Sequence, residues 1–384
     1  MSERAPGALL VVGAEWVGDR PGGLNRYLSD LIHALRVLGE PSRTLLVGPG
    51  PSAPPPGLVA IGAISDPLPW RLAGFWWRAR QVARSTDVVD VHFSLYGLLP
   101  ILGSRLRNRP LVVHFQGPWA AESAFNRGEG RLVVAVKRAV ERAVLRRASV
   151  VVTLSEAFRR LVADEYGVDP DRVSVIPPGV DLDRFSPGDR QHARVSLGVP
   201  AQGFVAVCVR RLEPRMGIDV LLRAWASVLI EHPESVLLIA GDGSQRQSLE
   251  DLAARHLPAG SFRFLGRVSD DELVEIYRAA DCSVAPSVAL EGFGLITLES
   301  AACGTPAVVS DTGGLPDGVV GLDPTLVVPP GDDRTLARRL ASAADGRLPD
   351  RDATRAFSLD FSWGAIAGRH MAIYERLRRE SGQP

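Results

Sequence analysis

Glu291 and Glu299 stand eight residues apart in the stretch E-G-F-G-L-I-T-L-E, which closes on A-C-G-T-P (Ala302 to Pro306). An ionised carboxylate only accepts hydrogen bonds, so one such group can hold a pair of hydroxyls, as in a ribose. Gly292 and Gly294 between them let a ligand approach the backbone closely. The apolar run Cys282 to Pro286 reads as a strand ending in a loop, and Leu295 to Ala302 have helical composition closed by Gly304 and Pro306. The pattern predicts Glu291 in a loop, Gly292 to Ile296 as the first helical turn, and Glu299 inside the helix on a face that reaches the same ligand. The unpaired N–H groups of a first turn, with the positive dipole end, suit a phosphate or sugar oxygen. Two Glu at this spacing alone equally describe a helix-end carboxylate and a solvated one. The Gly-Phe-Gly between them and the closing A-C-G-T-P turn the reading toward a site.

The segment resembles the donor-site signature of retaining, nucleotide-sugar-dependent glycosyltransferases related to glycogen and sucrose synthases, the glycosyl transferases group 1. Other stretches match that family in order. V-I-P-P-G-V-D-L-D-R-F-S-P (Val175 to Pro187) resembles its interdomain segment. R-R-L-E-P-R-M-G (Arg210 to Gly217) resembles its phosphate motif, and D-T-G-G-L-P-D (Asp311 to Asp317) its glycine-rich loop. The resemblance implies an α/β, GT-B fold of two doubly wound Rossmann-like domains facing a central cleft. It implies an N-terminal acceptor-side domain over 1–188, rejoined by a C-terminal helix over 362–384, and a nucleotide-sugar-binding domain over 189–361.

A departing nucleoside diphosphate gains charge as the glycosidic bond breaks, so a site must supply a metal or fixed positive groups. The resemblance implies no metal and no other cofactor. It assigns the diphosphate to Arg211 and to the backbone of Phe293, Gly294, Leu295 and Ile296, and the ribose to Glu299. The family lysine before the glycine falls at Met216, a departure, and Arg215 is the candidate substitute because a guanidinium can clamp phosphate in bidentate fashion. Gly22 and Gly23 match the glycine loop that approaches donor phosphates or acceptor. Val268 falls where relatives bind the nucleobase through backbone groups, with UDP the commonest nucleotide. His114, at a strand end, matches a histidine near the transferred sugar. The catalytic set implied is His114, Arg211 and Glu291, with no enzymic nucleophile. Asp181 and Asp183 belong to the interdomain match rather than to a metal motif.

The elements that must position these residues are legible as patterns. Short apolar runs alternate with helical stretches: Ala8 to Val12, Thr44 to Val47, Val88 to His92, Leu111 to Phe115, Val150 to Leu154 and Val173 to Ile176. After Pro187 the pattern restarts with Phe204 to Val209, Ser235 to Ala240, Phe262 to Leu265, Cys282 to Pro286, Ala307 to Ser310 and Leu326 to Val328. Continuous apolar strands separated by helices mark parallel sheets covered on both faces, whose ligands bind beyond the carboxyl ends of the strands. The tail Phe361 to Arg379 carries Trp363, Ile366, Met371, Ile373, Tyr374 and Leu377 at helical spacing, and the resemblance implies that it returns to the first domain.

A chain of 384 residues suggests two domains. The 44 basic and 44 acidic residues cancel, which argues against a nucleic-acid partner. Cys208, Cys282 and Cys303 read as small buried side chains in a reducing compartment. His33, His192, His232, His256 and His370 read as solvated, and His92 as a strand-end residue beside the site. No signal peptide or 18-residue apolar run is visible, so a cytoplasmic protein is expected. The basic-aromatic stretches Trp70 to Arg84 and Arg131 to Arg147 could cover a core or lie on an anionic membrane. The expected partners are a nucleotide-sugar donor and a small-molecule, lipid or glycan acceptor. Alternatives on the same fold are a sugar epimerase, a phosphorylase, disfavoured because Lys137 is the single lysine, and a non-catalytic nucleotide-sugar-binding subunit.

Overall fold

Apolar runs of four to six residues bounded by helices become buried parallel strands, because a strand covered on both faces needs apolar residues at every position. The computed structural model of the protein describes residues 8–16, 23–40, 42–48, 50, 51, 54, 56–103, 105–121, 130–289 and 291–382. The chain divides into two compact units, Met1–Gly179 with Trp363–Pro384, and Val180–Ser362.

The first unit runs β1 (Ala8–Glu15), α1 (Gly23–Val37), β2 (Ser42–Val47), β3 (Leu58–Ala60), α2 (Leu68–Val82), β4 (Thr86–Val91), α3 (Ser94–Gly103), β5 (Leu111–Phe115), α4 (Arg131–Arg147), β6 (Val150–Thr153), α5 (Glu156–Tyr166) and β7 (Val173–Val175). Among the described residues its parallel sheet has the order β3-β2-β1-β4-β5-β6-β7. The edge strand β3 follows a proline-rich loop and is too short and too exposed to announce itself in the sequence.

The second unit runs α6 (Arg190–Leu197), β8 (Val205–Val209), α7 (Ile218–Glu231), β9 (Val236–Ala240), α8 (Arg246–His256), β10 (Phe262–Gly266), α9 (Asp270–Ala279), β11 (Cys282–Ala285), α10 (Leu295–Ala302), β12 (Ala307–Ser310), β13 (Val327–Val328), α11 (Asp333–Ala344) and α12 (Arg351–Leu359). Its parallel sheet has the order β10-β9-β8-β11-β12-β13. The strand order reverses between β8 and β11, and that reversal opens a crevice at the carboxyl ends of these two strands.

The segment from Val180 belongs to the second unit, although the sequence places the junction at 188/189. Val180 donates its N–H to the Phe361 carbonyl at 2.8 Å, and Arg355 donates to the carbonyls of Leu182 at 3.2 Å and Phe185 at 2.8 Å. The last helix, α13 (Trp363–Glu380), packs on α1 and β4 of the first unit. Its apolar face carries Ile366, Ile373, Tyr374 and Leu377, all buried.

All three cysteines are buried and free, and burial pushes their thiols up to about 12, so they are inert core residues. Among the described residues no helix is long and apolar enough to cross a membrane. In α2, Phe75 turns inward while Trp70 and Trp77 stay exposed, and in α4 the exposed apolar residues are Leu132, Val133 and Val136.

Candidate active site

The loops after β8 and β11 meet at the switch point of the second unit. Glu291 follows β11, half-buried, and its Oε2 lies 3.0 Å from Nη1 of Arg210, the residue after β8. The Ser287 hydroxyl donates to the same Oε2 at 3.4 Å. Behind Glu291 the glycine-rich loop closes tightly: Gly314 donates its N–H to the Glu291 carbonyl at 3.0 Å. A Cβ on Gly313, whose φ is +56°, would stand 1.9 Å from that oxygen. Only glycine fits there, because both the positive φ and the close approach exclude a side chain.

The helix covers Leu295–Ala302, the stretch of helical composition, and so begins three residues after Gly292, where the first turn was expected. Gly294 has φ +84° and ψ +73°, a left-handed conformation that cannot continue a right-handed helix, so it is the N-cap and Leu295 is the first helical residue. No side chain caps this end. Thr297 donates its N–H to the Gly294 carbonyl at 2.9 Å, so the first-turn N–H groups that suit an anion are those of Leu295 and Ile296 rather than of Gly292. Phe293 is buried and packs toward Phe361, so only its backbone can serve a ligand.

Glu299 lies one turn into α10 and is 7% exposed. The Tyr277 hydroxyl from α9 donates to its Oε2 at a long 3.5 Å. Burial, then the neighbouring Glu299 charge, raise the Tyr277 phenol well above its ordinary range, so it stays a neutral donor. Val268 is half-buried in the loop between β10 and α9, next to the Ser269–Glu272 capping box that fixes the start of α9.

The arginines are distributed otherwise than the sequence suggests. Arg210 and Arg215 are buried, at 9% and 6% exposure, whereas Arg211 is exposed. Successive residues of an extended segment point to opposite sides, so Arg210 takes the inward position and Arg211 the outward one. Arg210, to which the family match gives no role, is the arginine that the structure sets beside Glu291. The doubled arginine at a strand end is its one sequence signal. Met216 is also buried, its sulfur 3.7 Å from the Ser287 hydroxyl.

In the first unit, His114 ends β5 with its ring fully covered. Its Nε2 lies 3.0 Å from Oδ1 of Asp90 on β4, and Nε2 of His92 lies 3.4 Å from Oδ2 of the same carboxylate. The His92 and His114 rings stack at 3.8 Å, and His370 of α13 stacks on His114 at 5.3 Å. His370 is thus fully buried rather than solvated, with Tyr27 at 3.2 Å from its Nε2, and Tyr374 donates to Asp90 at 2.5 Å. Burial pushes the Asp90 carboxyl up, but the facing His114 and His92 outweigh it and hold it well below the usual carboxylate range. Burial first, then His114, push His92 down to about 4 and His370 down to about 3. Asp90, His92 and His114 are close enough to share a cation, but the two ring nitrogens already face the carboxylate. Gly23 is the exposed first residue of α1, and Gly22 lies outside the described residues.

Two family models match the chain: Glycosyltransferase Family 4 over residues 21–184 and Glycosyl transferases group 1 over residues 189–356. The D-inositol 3-phosphate glycosyltransferase of Acidothermus cellulolyticus is 32% identical over 357 residues, 86% of this chain and 78% of that protein. The chain belongs to the group 1 glycosyltransferases. D-inositol 3-phosphate glycosyltransferase 2 of Catenulispora acidiphila is 39% identical, aligning over 55% of this glycosyltransferase and only 52% of its own length. The GT-B fold is shared with Anabaena Alr3699/HepE, solved in complex with UDP, at a TM-score of 0.77 and 20% identity, covering 96% of this chain and 100% of that one.

Proposed function

We propose that this glycosyltransferase moves a hexose or hexose derivative from a nucleotide-diphosphate sugar, UDP first, to an acceptor hydroxyl, with retention and without a metal. The observation that carries this reading is the convergence at the β8/β11 switch point of two carboxylates, a buried arginine and an uncapped helix N-terminus. Fixed dipoles and a buried guanidinium can stabilise the charge that develops on a departing diphosphate, which is the task a metal otherwise performs. Glu299 accepts from the ribose hydroxyls. Glu291, held by Arg210 and Ser287, accepts from hydroxyls of the transferred sugar. The family resemblance implies no enzymic nucleophile, so the acceptor attacks from the face the diphosphate leaves, and a donor phosphate oxygen takes the acceptor proton.

HepE was solved with UDP, and the relatives are D-inositol 3-phosphate glycosyltransferases, which makes D-inositol 3-phosphate the first acceptor to try. The test incubates the protein with UDP, GDP and ADP sugars and that acceptor, with and without EDTA. Nucleotide release is followed, and the product's anomeric configuration is read by NMR. An inverted product refutes retention, and EDTA inhibition reversed by Mg²⁺ refutes metal independence. Failure to bind or consume any nucleotide sugar refutes the reading itself. Met216 favours a second reading, a non-catalytic nucleotide-sugar-binding subunit; donor binding without turnover on any acceptor would select it.

A further inference from the structure

We infer that Arg210 is the buried cation that receives the donor diphosphate, serving this chain in place of a lysine at position 216. The inference rests on the donor reading above and names the group that completes it. Arg210 follows β8, and its backbone is pinned: its N–H donates to the Ala240 carbonyl at 2.9 Å. A Cβ on Gly241 would stand 1.8 Å from the Arg210 carbonyl oxygen, so the loop after β9 closes on the backbone of this residue. The side chain is 7% exposed. Nη1 is taken by Glu291 at 3.0 Å, but Nε and Nη2 are buried with no hydrogen-bond partner.

A folded protein rarely leaves two guanidinium nitrogens buried and unpaired, since each forgoes its hydrogen bonds to water with nothing in return. Their direction names the missing partner. A Cβ placed on Gly294 would stand 3.7 Å from Nη2, so the guanidinium lies against the uncapped N-cap of α10. The free Arg210 donors thus lie beside the residue that precedes the first-turn N–H groups of Leu295 and Ile296. The occupant must bring several acceptor oxygens and net negative charge, which a nucleoside diphosphate does. Position 216 opens on the same place. The Met216 sulfur is 3.7 Å from the Ser287 hydroxyl, which lies 3.4 Å from Glu291 Oε2. A thioether fills that position, and the cation enters from the end of β8 instead.

The test measures affinity for uridine, UMP and UDP by calorimetry on the full chain. Arg210→Ala alone would strand a buried carboxylate, so the pair is removed together. The Arg210→Met/Glu291→Gln double variant is compared with Glu291→Gln, each checked for folding by circular dichroism. The double variant should bind UDP about 10- to 100-fold more weakly than Glu291→Gln, the worth of charge-assisted hydrogen bonds. Uridine affinity should be the same in both. Arg210→Lys, which keeps the charge and loses the fork, should fall between. Equal UDP affinity in the double variant and Glu291→Gln overturns the inference, as does an equal loss for uridine and UDP. Wild type that binds none of UDP, GDP and ADP overturns the donor reading, and this inference with it.

Discussion

Replacing Glu299 by Gln tests the ribose assignment with little change in volume. Glu299 is 7% exposed on the second turn of α10, and the Tyr277 hydroxyl donates to its Oε2 at 3.5 Å. At that distance the phenol is a weak partner, and a carboxylate has lone pairs for more than one donor, so a ligand diol can share it. The substitution removes the charge and turns one of two acceptor oxygens into a donor, so a bidentate grip on two hydroxyls becomes impossible. A hydrogen bond to a charged group contributes roughly 1.5–3 kcal/mol, so UDP should bind roughly 10- to 150-fold more weakly. Uridine, which carries the ribose, should weaken by the same factor, in contrast to the Arg210 variants. The assay is calorimetric titration of UDP, uridine and 2′,3′-dideoxy-UDP on wild type and Glu299→Gln. The dideoxy nucleotide should bind wild type and variant alike, which closes a double-mutant cycle on the contact. Wild-type affinity for UDP in Glu299→Gln would refute the ribose assignment, and an equal loss for the dideoxy nucleotide would move the effect to the scaffold.

Gly313→Ala should loosen the loop that holds Glu291, because its Cβ would meet the Glu291 carbonyl at 1.9 Å and its φ of +56° disfavours any side chain. A lowered urea midpoint together with weaker sugar-nucleotide binding is expected, with about 1–3 kcal/mol lost to overpacking alone. Acid should destabilise the first unit: buried His92 and His370, held at about 4 and about 3, stay neutral when folded, while unfolded imidazoles titrate near 6.5. The unfolded state therefore takes up protons first. This stability is complete above pH 6.5 and lost as pH falls toward 4 and then 3; a urea midpoint that does not move between pH 7 and 4 would refute it. Arg211→Ala should lower turnover by about 10² if the exposed guanidinium folds over the donor phosphates, and unchanged kcat would leave the charge stabilisation to Arg210 and the helix end.

The fold was legible because it is written locally. Buried parallel strands need apolar residues at every position, so runs such as Val236–Ala240 and Ala307–Ser310 declare themselves without any neighbour. The Glu291–Glu299 spacing and its glycines marked the switch point of the second unit for the same reason: the turn, the cap and the helix are all within one short segment. Three features needed the tertiary structure. Neighbouring arginines point to opposite sides of an extended chain, and only the folded structure shows that Arg210, paired with Glu291, is the one turned inward. The start of α10 depends on the left-handed Gly294, which the surrounding loops impose, and Gly292 looks the same in sequence. The Asp90–His92–His114 group joins residues of β4 and β5, and His370 and Tyr374 reach it from the far end of the chain. Local patterns determine which elements form, because each hydrophobic period is set within its own segment. Which polar side chain is buried, and against what, is decided only when segments distant in sequence close around it.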